Sequence, residues 1–242
     1  MTSPKIIETA EEMDPEYHSM VRQLLESQGY REVMAANLFG HAMKYIPSLG
    51  RKQMVAHQIE EELEHFEEAA RLYNQVTGED LLQAIESRLG RVPYPESWEE
   101  LAMAQFLYDR AGEFHLREYR TCSFAPYSRI VTKILEEEEG HEGFGEQVVR
   151  ELASEPYNVP RLQRLFDKWL AVALLSFGRP GTPGNRFAIE AGLKTRDSGE
   201  VMQDFINDIK PTMAACGLRF PAPEQLGIEM PDGVDLSLPE AD

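Results

Sequence analysis

Apolar positions recur every three or four residues between Pro15 and Tyr45. That spacing predicts a helix entered at Asp14-Pro15, an N-cap followed by a proline suited to the first turn, and stopped near Pro47. At about 1.5 Å per residue it spans more than about 40 Å, the length of a bundle member. A second helix is expected from about Arg51 to Thr77-Gly78, where glycine supplies a C-terminal stop. After a small helix around Asp80 to Leu89 and the loop Arg91-Val92-Pro93-Tyr94-Pro95, a third is expected from Ser97 towards Thr121, with Ser97 and Glu100 read as a capping box. A fourth follows Pro126 and runs to about Ser154. Val, Ile and Thr are scattered and no alternating pattern persists, so the expected class is all-α.

Beyond Pro160 the pattern changes. Arg161 to Phe177 reads as a further apolar-faced helix, Gly178 to Gly184 as a Gly/Pro loop, Val201 to Cys216 as another helix, and Phe220 to Asp242 as a Pro-rich extended tail wrapping the body or a partner. The whole, 1–242, is expected to be a single domain: a core bundle over about 15–155, then C-terminal helices and tail over about 160–242.

Composition narrows the chemistry. Lys and Arg number 24 against 42 Asp and Glu, a formal charge of -18, which repels a polyphosphate backbone and argues against nucleic acid as a partner. No run of about 18 apolar residues exists and the first residues are polar and acidic, so neither a membrane span nor a secretory leader is expected, and the location expected is cytoplasmic. The only cysteines, Cys122 and Cys216, are far apart, which leaves carboxylate and imidazole to hold any metal.

Two Glu-x-x-His pairs are present, Glu62 with His65 on the second helix and Glu138 with His141 on the fourth. Residues three apart share a helix face, so each pair can bring one carboxylate and one imidazole to the same point. Di-iron carboxylate bundles of the ferritin-like kind use two such pairs and a single acid from each of the other two helices. Counting back 30 residues from Glu62 reaches Glu32, and 29 back from Glu138 reaches Asp109, about one helix and a turn in each case. Glu32 lies on a stripe with Leu25, Gly29, Ala36 and Phe39, and Asp109 on one with Ala102, Phe106, Gly112 and Leu116. Acids on such faces are costly to bury unless a cation answers them.

The candidate metal ligands are therefore Glu32, Glu62, His65, Asp109, Glu138 and His141, with Glu113, one turn beyond Asp109, a rival or additional ligand. Four carboxylates balance two divalent ions, and oxygen donors with one nitrogen per metal suit two Fe ions, or Mn, better than Zn or Cu(I). Glu61 and Glu137 precede ligand positions, placed to reach the far nitrogen of a ligand histidine. His18, His41, His57 and His115 have no acid three residues before them and read as structural or exposed.

Tyr108-Asp109-Arg110-Ala111-Gly112, the string Ser123-Phe124-Ala125-Pro126-Tyr127-Ser128-Arg129, and Glu137-Glu138 with His141 resemble the catalytic subunit of the bacterial phenylacetyl-CoA epoxidase family. So do Arg31-Glu32, Glu61-Glu62 with His65, Phe177-Gly178-Arg179-Pro180 and Leu218-Arg219-Phe220-Pro221, giving coverage from roughly Gln23 to Leu226. The resemblance implies a ferritin-like four-helix bundle and a non-haem di-iron monooxygenase. Its co-substrate would be O2, its electrons would come from a reductase, and it would work in a homo-oligomer or with a ferritin-like partner subunit. Several positions before Asp109 differ from the family pattern, so the small-molecule substrate is expected only to be organic, hydroxylated or epoxidised, with a CoA ester one candidate. Arg51-Lys52, Arg117 and Arg120 are the cations available to the phosphates of such an ester. Two other readings stand beside this one: a ferroxidase-like di-metal protein without organic substrate, and a structural partner subunit.

Overall fold

The computed structural model describes residues 4–138 and 142–237, with side chains over 4–136 and 143–237. Two long antiparallel helices open the bundle. In α1 (Pro15–Ala42) the Asp14 carboxylate accepts from the Glu16 and Tyr17 amides, filling donors that a helix start leaves open. The second, α2 (Leu49–Thr77), starts two residues earlier than the spacing predicts, because the Ser48 hydroxyl caps Arg51 N. It ends where expected: Gly78 takes φ 72° and returns its N–H to Asn74 O, a conformation that carries no steric penalty only for glycine. A short α3 (Leu81–Ile85) follows, capped by Asp80.

The third long helix is not uniform. It consists of α4 (Trp98–Ala104), a π-helical segment Gln105–Asp109, and α5 (Arg110–Tyr119). Only half of the expected capping box forms. The Ser97 hydroxyl accepts from Glu100 N at 3.1 Å, but Glu100 Oε2 accepts from Glu96 N at 3.0 Å instead of turning back to Ser97. Its Oε1 takes Lys168 Nζ at 2.5 Å and Trp169 Nε1 at 3.2 Å, so this buried carboxylate ties the third helix to the next layer. The fourth bundle position is filled by α6 (Ala125–Glu138) and α7 (Glu142–Ala153).

Outside the bundle lie α8 (Val159–Ser176), α9 (Pro183–Glu190) and α10 (Ser198–Ala215). The helix α9 corrects the sequence reading, which assigned nothing there: Thr182 caps it and Pro183 is its first residue. As far as Ser237 the tail lies against the body, along α10. Gln203 and Asp235 exchange hydrogen bonds of 3.1 and 2.6 Å, and Leu226 and Leu236 are buried. Among the described residues there is no strand, only a single bridge between Ile7 and Phe124. No helix among them is long and apolar enough to cross a membrane. The fold is all-α and ferritin-like, as the spacing predicts.

The apolar core forms two blocks. One gathers Leu38, Phe39, Val55, Phe106, Phe166, Trp169 and Phe205. The other gathers Val21, Leu25, Ala69, Leu72, Tyr73, Phe124 and Tyr127. Along α1, α2 and α5 the residues between them are polar yet buried: Gln28, Glu32, Gln58, Glu62, His65 and Glu113. Burying so many polar groups at mid-bundle is unfavourable unless each is answered, which marks this stratum as the place to look for chemistry.

Candidate metal centre

At the centre of the stratum, Glu32 from α1 meets Glu62 and His65 from α2. All three are at least 95 % buried, and donor atoms from each lie within 4.8 Å of one another. The register of the antiparallel pair makes this possible: Glu62 and His65 are three apart on the inward face of α2, and Glu32 faces them across the interface. His65 Nδ1 stands 3.8 Å from Glu32 Oε2. The other oxygen of Glu32 accepts from the Gln28 side-chain amide.

Asp109 and Glu113 line the same small cavity as Glu32 and Glu62, together with Gln28, Arg31, Ala35, Tyr108, Gly112, Leu116 and Ser176. Its volume is about 40 Å³. A water needs about 10–15 Å³ of such space and a benzene ring fills a cavity of about 150 Å³, so the space admits a diatomic gas or a few waters but no ring. Asp109 is half-buried, whereas Glu113 is 6 % exposed and accepts a charge-assisted hydrogen bond from Arg117. Both acids favoured by the spacing on the third helix therefore reach the cavity. The positions Glu138 and His141 lie outside the described side chains.

The π-helical segment positions this half. A π-bulge carries one residue more than the α-helical ladder and re-aims the side chains around it. Here the segment ends at Asp109. It is held at both ends. Gln105 Nε2 donates to Gln58 Oε1 on α2 at 2.9 Å, while Gln105 Oε1 is buried with no hydrogen-bond partner among the described residues. Arg110 lies over the Phe106 ring and donates to Asp208 at 2.6 Å and Glu146 at 2.8 Å. Burial works to raise the Glu146 carboxyl, but hydrogen bonds from Arg150 and Thr212 and the Arg110 charge bring it below the ordinary value. Gly145 lets α7 approach closely, since a Cβ there would sit 2.6 Å from Phe106 N.

Burial raises the Tyr108 hydroxyl above its ordinary range, and the fully buried Tyr127 is raised well above it for the same reason, so both remain proton donors. His115 stacks on Phe177 with centroids 4.5 Å apart; burial, with the charges of Arg31 and Lys194, holds its imidazole neutral. The other described histidines, His18, His41 and His57, have partners of their own. His18 bonds Val76 O at 3.0 Å, His41 stacks on Tyr94, and exposed His57 lies 3.5 Å from Glu61. Of the cations considered for ester phosphates, Arg51 is held by Glu151 and covers Trp98, and Arg117 is held by Glu113.

The donor set fits a divalent first-row ion. Glu32, Glu62 and His65 could hold one between them: two hard oxygens, one imidazole and no thiolate match iron or manganese. Two carboxylates this close repel each other, and a divalent cation relieves that repulsion. Sequence reasoning missed Gln28, Gln58 and Gln105. Their signal was present: each is a glutamine one helical turn before an inward acid, Glu32, Glu62 and Asp109 in turn.

Comparison with known proteins agrees with this geometry. The chain is similar to a 1,2-phenylacetyl-CoA epoxidase subunit of Escherichia coli (strain K12), 22 % identical over 233 residues that span 90 % of this chain and 74 % of that one. The phenylacetic acid catabolic protein family matches over residues 1–232, nearly the full length. With that match and a buried acid–acid–imidazole group inside a helical bundle, the chain belongs to the phenylacetic acid catabolic protein family.

Proposed function

We propose that this chain is the oxygen-activating subunit of a non-haem di-iron monooxygenase acting on an organic substrate. The observation that carries the reading is the buried Glu32–Glu62–His65 group on a cavity shared with Asp109 and Glu113. Glu32, Glu62 and His65 would hold one iron, and Asp109, Glu138 and His141 the other, with Glu113 as rival or additional ligand. When bound, a diferrous pair would supply two of the four electrons that reduce dioxygen; the substrate would give the other two as one oxygen atom enters a carbon–carbon double bond, an aromatic ring or a C–H bond and the second leaves as water.

The chain's own residues set the conditions. The two apolar blocks exclude bulk water from both sides of the centre. Tyr108 lines the cavity, and burial keeps its hydroxyl protonated. A surface hollow of about 1090 Å³, bounded by Leu174, Leu175, Gly178, Arg179, Met202 and Met230, lies behind the end of α8, and Ser176 of that same turn lines the small cavity. The hollow has room for an organic substrate; the small cavity does not. Because the Escherichia coli relative is named as one subunit of an epoxidase, partner subunits and a reductase belong to this reading, and a CoA thioester is the first substrate to assay.

The test is anaerobic reconstitution with ferrous iron, followed by metal analysis and Mössbauer spectroscopy of the oxidised protein. We expect two iron ions per chain and a magnetically coupled pair. Single turnover of the reduced protein under ¹⁸O₂ should place one labelled atom in the product. Failure to take up iron overturns the reading. A ferroxidase-like role without organic substrate is the second reading, favoured by the 40 Å³ volume of the cavity itself; rapid iron oxidation with no label in any organic product would establish it instead.

A further inference from the structure

Gln28 joins Glu32 to two groups that the ligand set does not include. It is 1 % exposed, one turn before Glu32 on α1. Its Oε1 accepts two hydrogen bonds, from Tyr127 Oη at 2.8 Å and from Arg31 Nη2 at 2.9 Å. Tyr127 is fully buried on α6, and Arg31 lines the small cavity. An amide oxygen has two lone pairs, and here both are filled, one of them by a guanidinium that has no acceptor to offer in return. A flip of the amide would set an NH2 against the Arg31 guanidinium, donor against donor. The orientation is thereby fixed, with Nε2 towards Glu32 Oε1, to which it donates.

The consequence falls on Glu32. With Oε1 engaged by Gln28, Oε2 is left facing His65 Nδ1 at 3.8 Å. A carboxylate with four free lone-pair sites can rotate between binding modes; one tied through a buried, locked amide is held to a single rotamer, with Oε2 the oxygen turned towards His65.

We propose that Gln28, fixed by Tyr127 and Arg31, is a positioning residue that holds Glu32 in one rotamer and presents Oε2 as its metal-binding oxygen. This rests on the metal reading above and deepens it. The ordering cost of Glu32 is met in the metal-free protein, so binding does not have to meet it again, the way outer partners of metal ligands raise affinity. Tyr127 acts at one further remove, through Gln28.

The experiment uses the full chain and cobalt(II) as a spectroscopic substitute, whose visible absorption reports coordination number and ligand geometry. Gln28→Leu removes the donor to Glu32. Tyr127→Phe keeps the ring in its packing and removes one of the two bonds that lock the amide. In Gln28→Leu we expect cobalt affinity to fall by about 10- to 100-fold, the range for losing an outer partner of a ligand, with an altered visible band. In Tyr127→Phe a smaller loss of the same kind is expected. In the metal-free wild type, the Gln28 side-chain amide should give slowly exchanging NMR signals that move in Glu32→Ala. A merely structural role would lower the melting temperature and leave the cobalt spectrum of the folded variants unchanged; that result overturns the proposal while the metal reading stands. A wild-type chain that binds neither cobalt nor iron overturns both.

Discussion

The two halves of the candidate centre are built in different ways. On one side, α1 and α2 are unbroken α-helices, and Glu32, Glu62 and His65 meet because a regular 3.6-residue ladder repeats on both. On the other, the third helix reaches the cavity only after the π-helical turn Gln105–Asp109, clamped by Gln58, Arg110 and the close approach of Gly145. A regular ladder places side chains by counting. A bulge places them by what the neighbouring helices will hold in place, so the second half depends on packing at a distance from the acids themselves.

His65→Ala probes the regular half and should have the largest effect. It removes the imidazole of the buried group, and oxygenase activity should fall by more than about 100-fold, beyond the loss from an outer partner, with bound iron falling as well. Metal analysis beside an activity assay reads both. Next come two variants that separate the rivals on the irregular half. Asp109→Ala should lose iron as His65→Ala does, whereas Glu113→Ala, whose carboxylate is already answered by Arg117, should lose only about 10-fold in metal affinity. The opposite order would make Glu113 the ligand.

The glycines then compare the packing of each half. In Gly145→Ala the new Cβ would meet Phe106 N at 2.6 Å and Phe106 Cα at 3.0 Å, backbone atoms that cannot yield locally. We expect destabilisation of about 1–3 kcal/mol and a melting temperature lower by about 3–10 °C. In Gly29→Ala the nearest atom is Leu81 Cδ2 at 2.6 Å, the end of a flexible side chain. Rotation of Leu81, together with alanine's helix preference of about 1 kcal/mol over glycine, should leave stability within about 1 kcal/mol of the parent. Thermal melts of the two proteins side by side decide whether the irregular half is the more tightly constrained.

Legibility in the sequence follows the same division. The start of α1 and the stop of α2 were readable because Asp14-Pro15 and Gly78 are local chemistry acting on local backbone, whereas α1 ends at Ala42 and gives way to a 3-10 turn over Met43–Tyr45. The meeting of Glu32, Glu62 and His65 was readable because antiparallel helices of regular pitch return to the same level after a fixed count. The π-turn was not, since one extra residue in a ladder leaves no mark in composition and its support comes from Gln58, Gly145 and the Arg110 partners Glu146 and Asp208, all distant in the chain. The helix α9 was missed for another reason. Its start, Thr182-Pro183, is a regular N-cap signal, but it sits in the run Gly178 to Gly184 that reads as a breaker. Glu100 shows that a motif can be half right: the Ser97 arm obeys the local rule, while the glutamate is drawn away by Lys168 and Trp169.

The polar stratum between two hydrocarbon blocks also bears on how the bundle moves. Each block is cohesive by itself while the acids between them repel, so a cation at the centre would join the two blocks across the stratum. Filling the centre would act as a rivet, slowing amide-hydrogen exchange at mid-helix more than at either end.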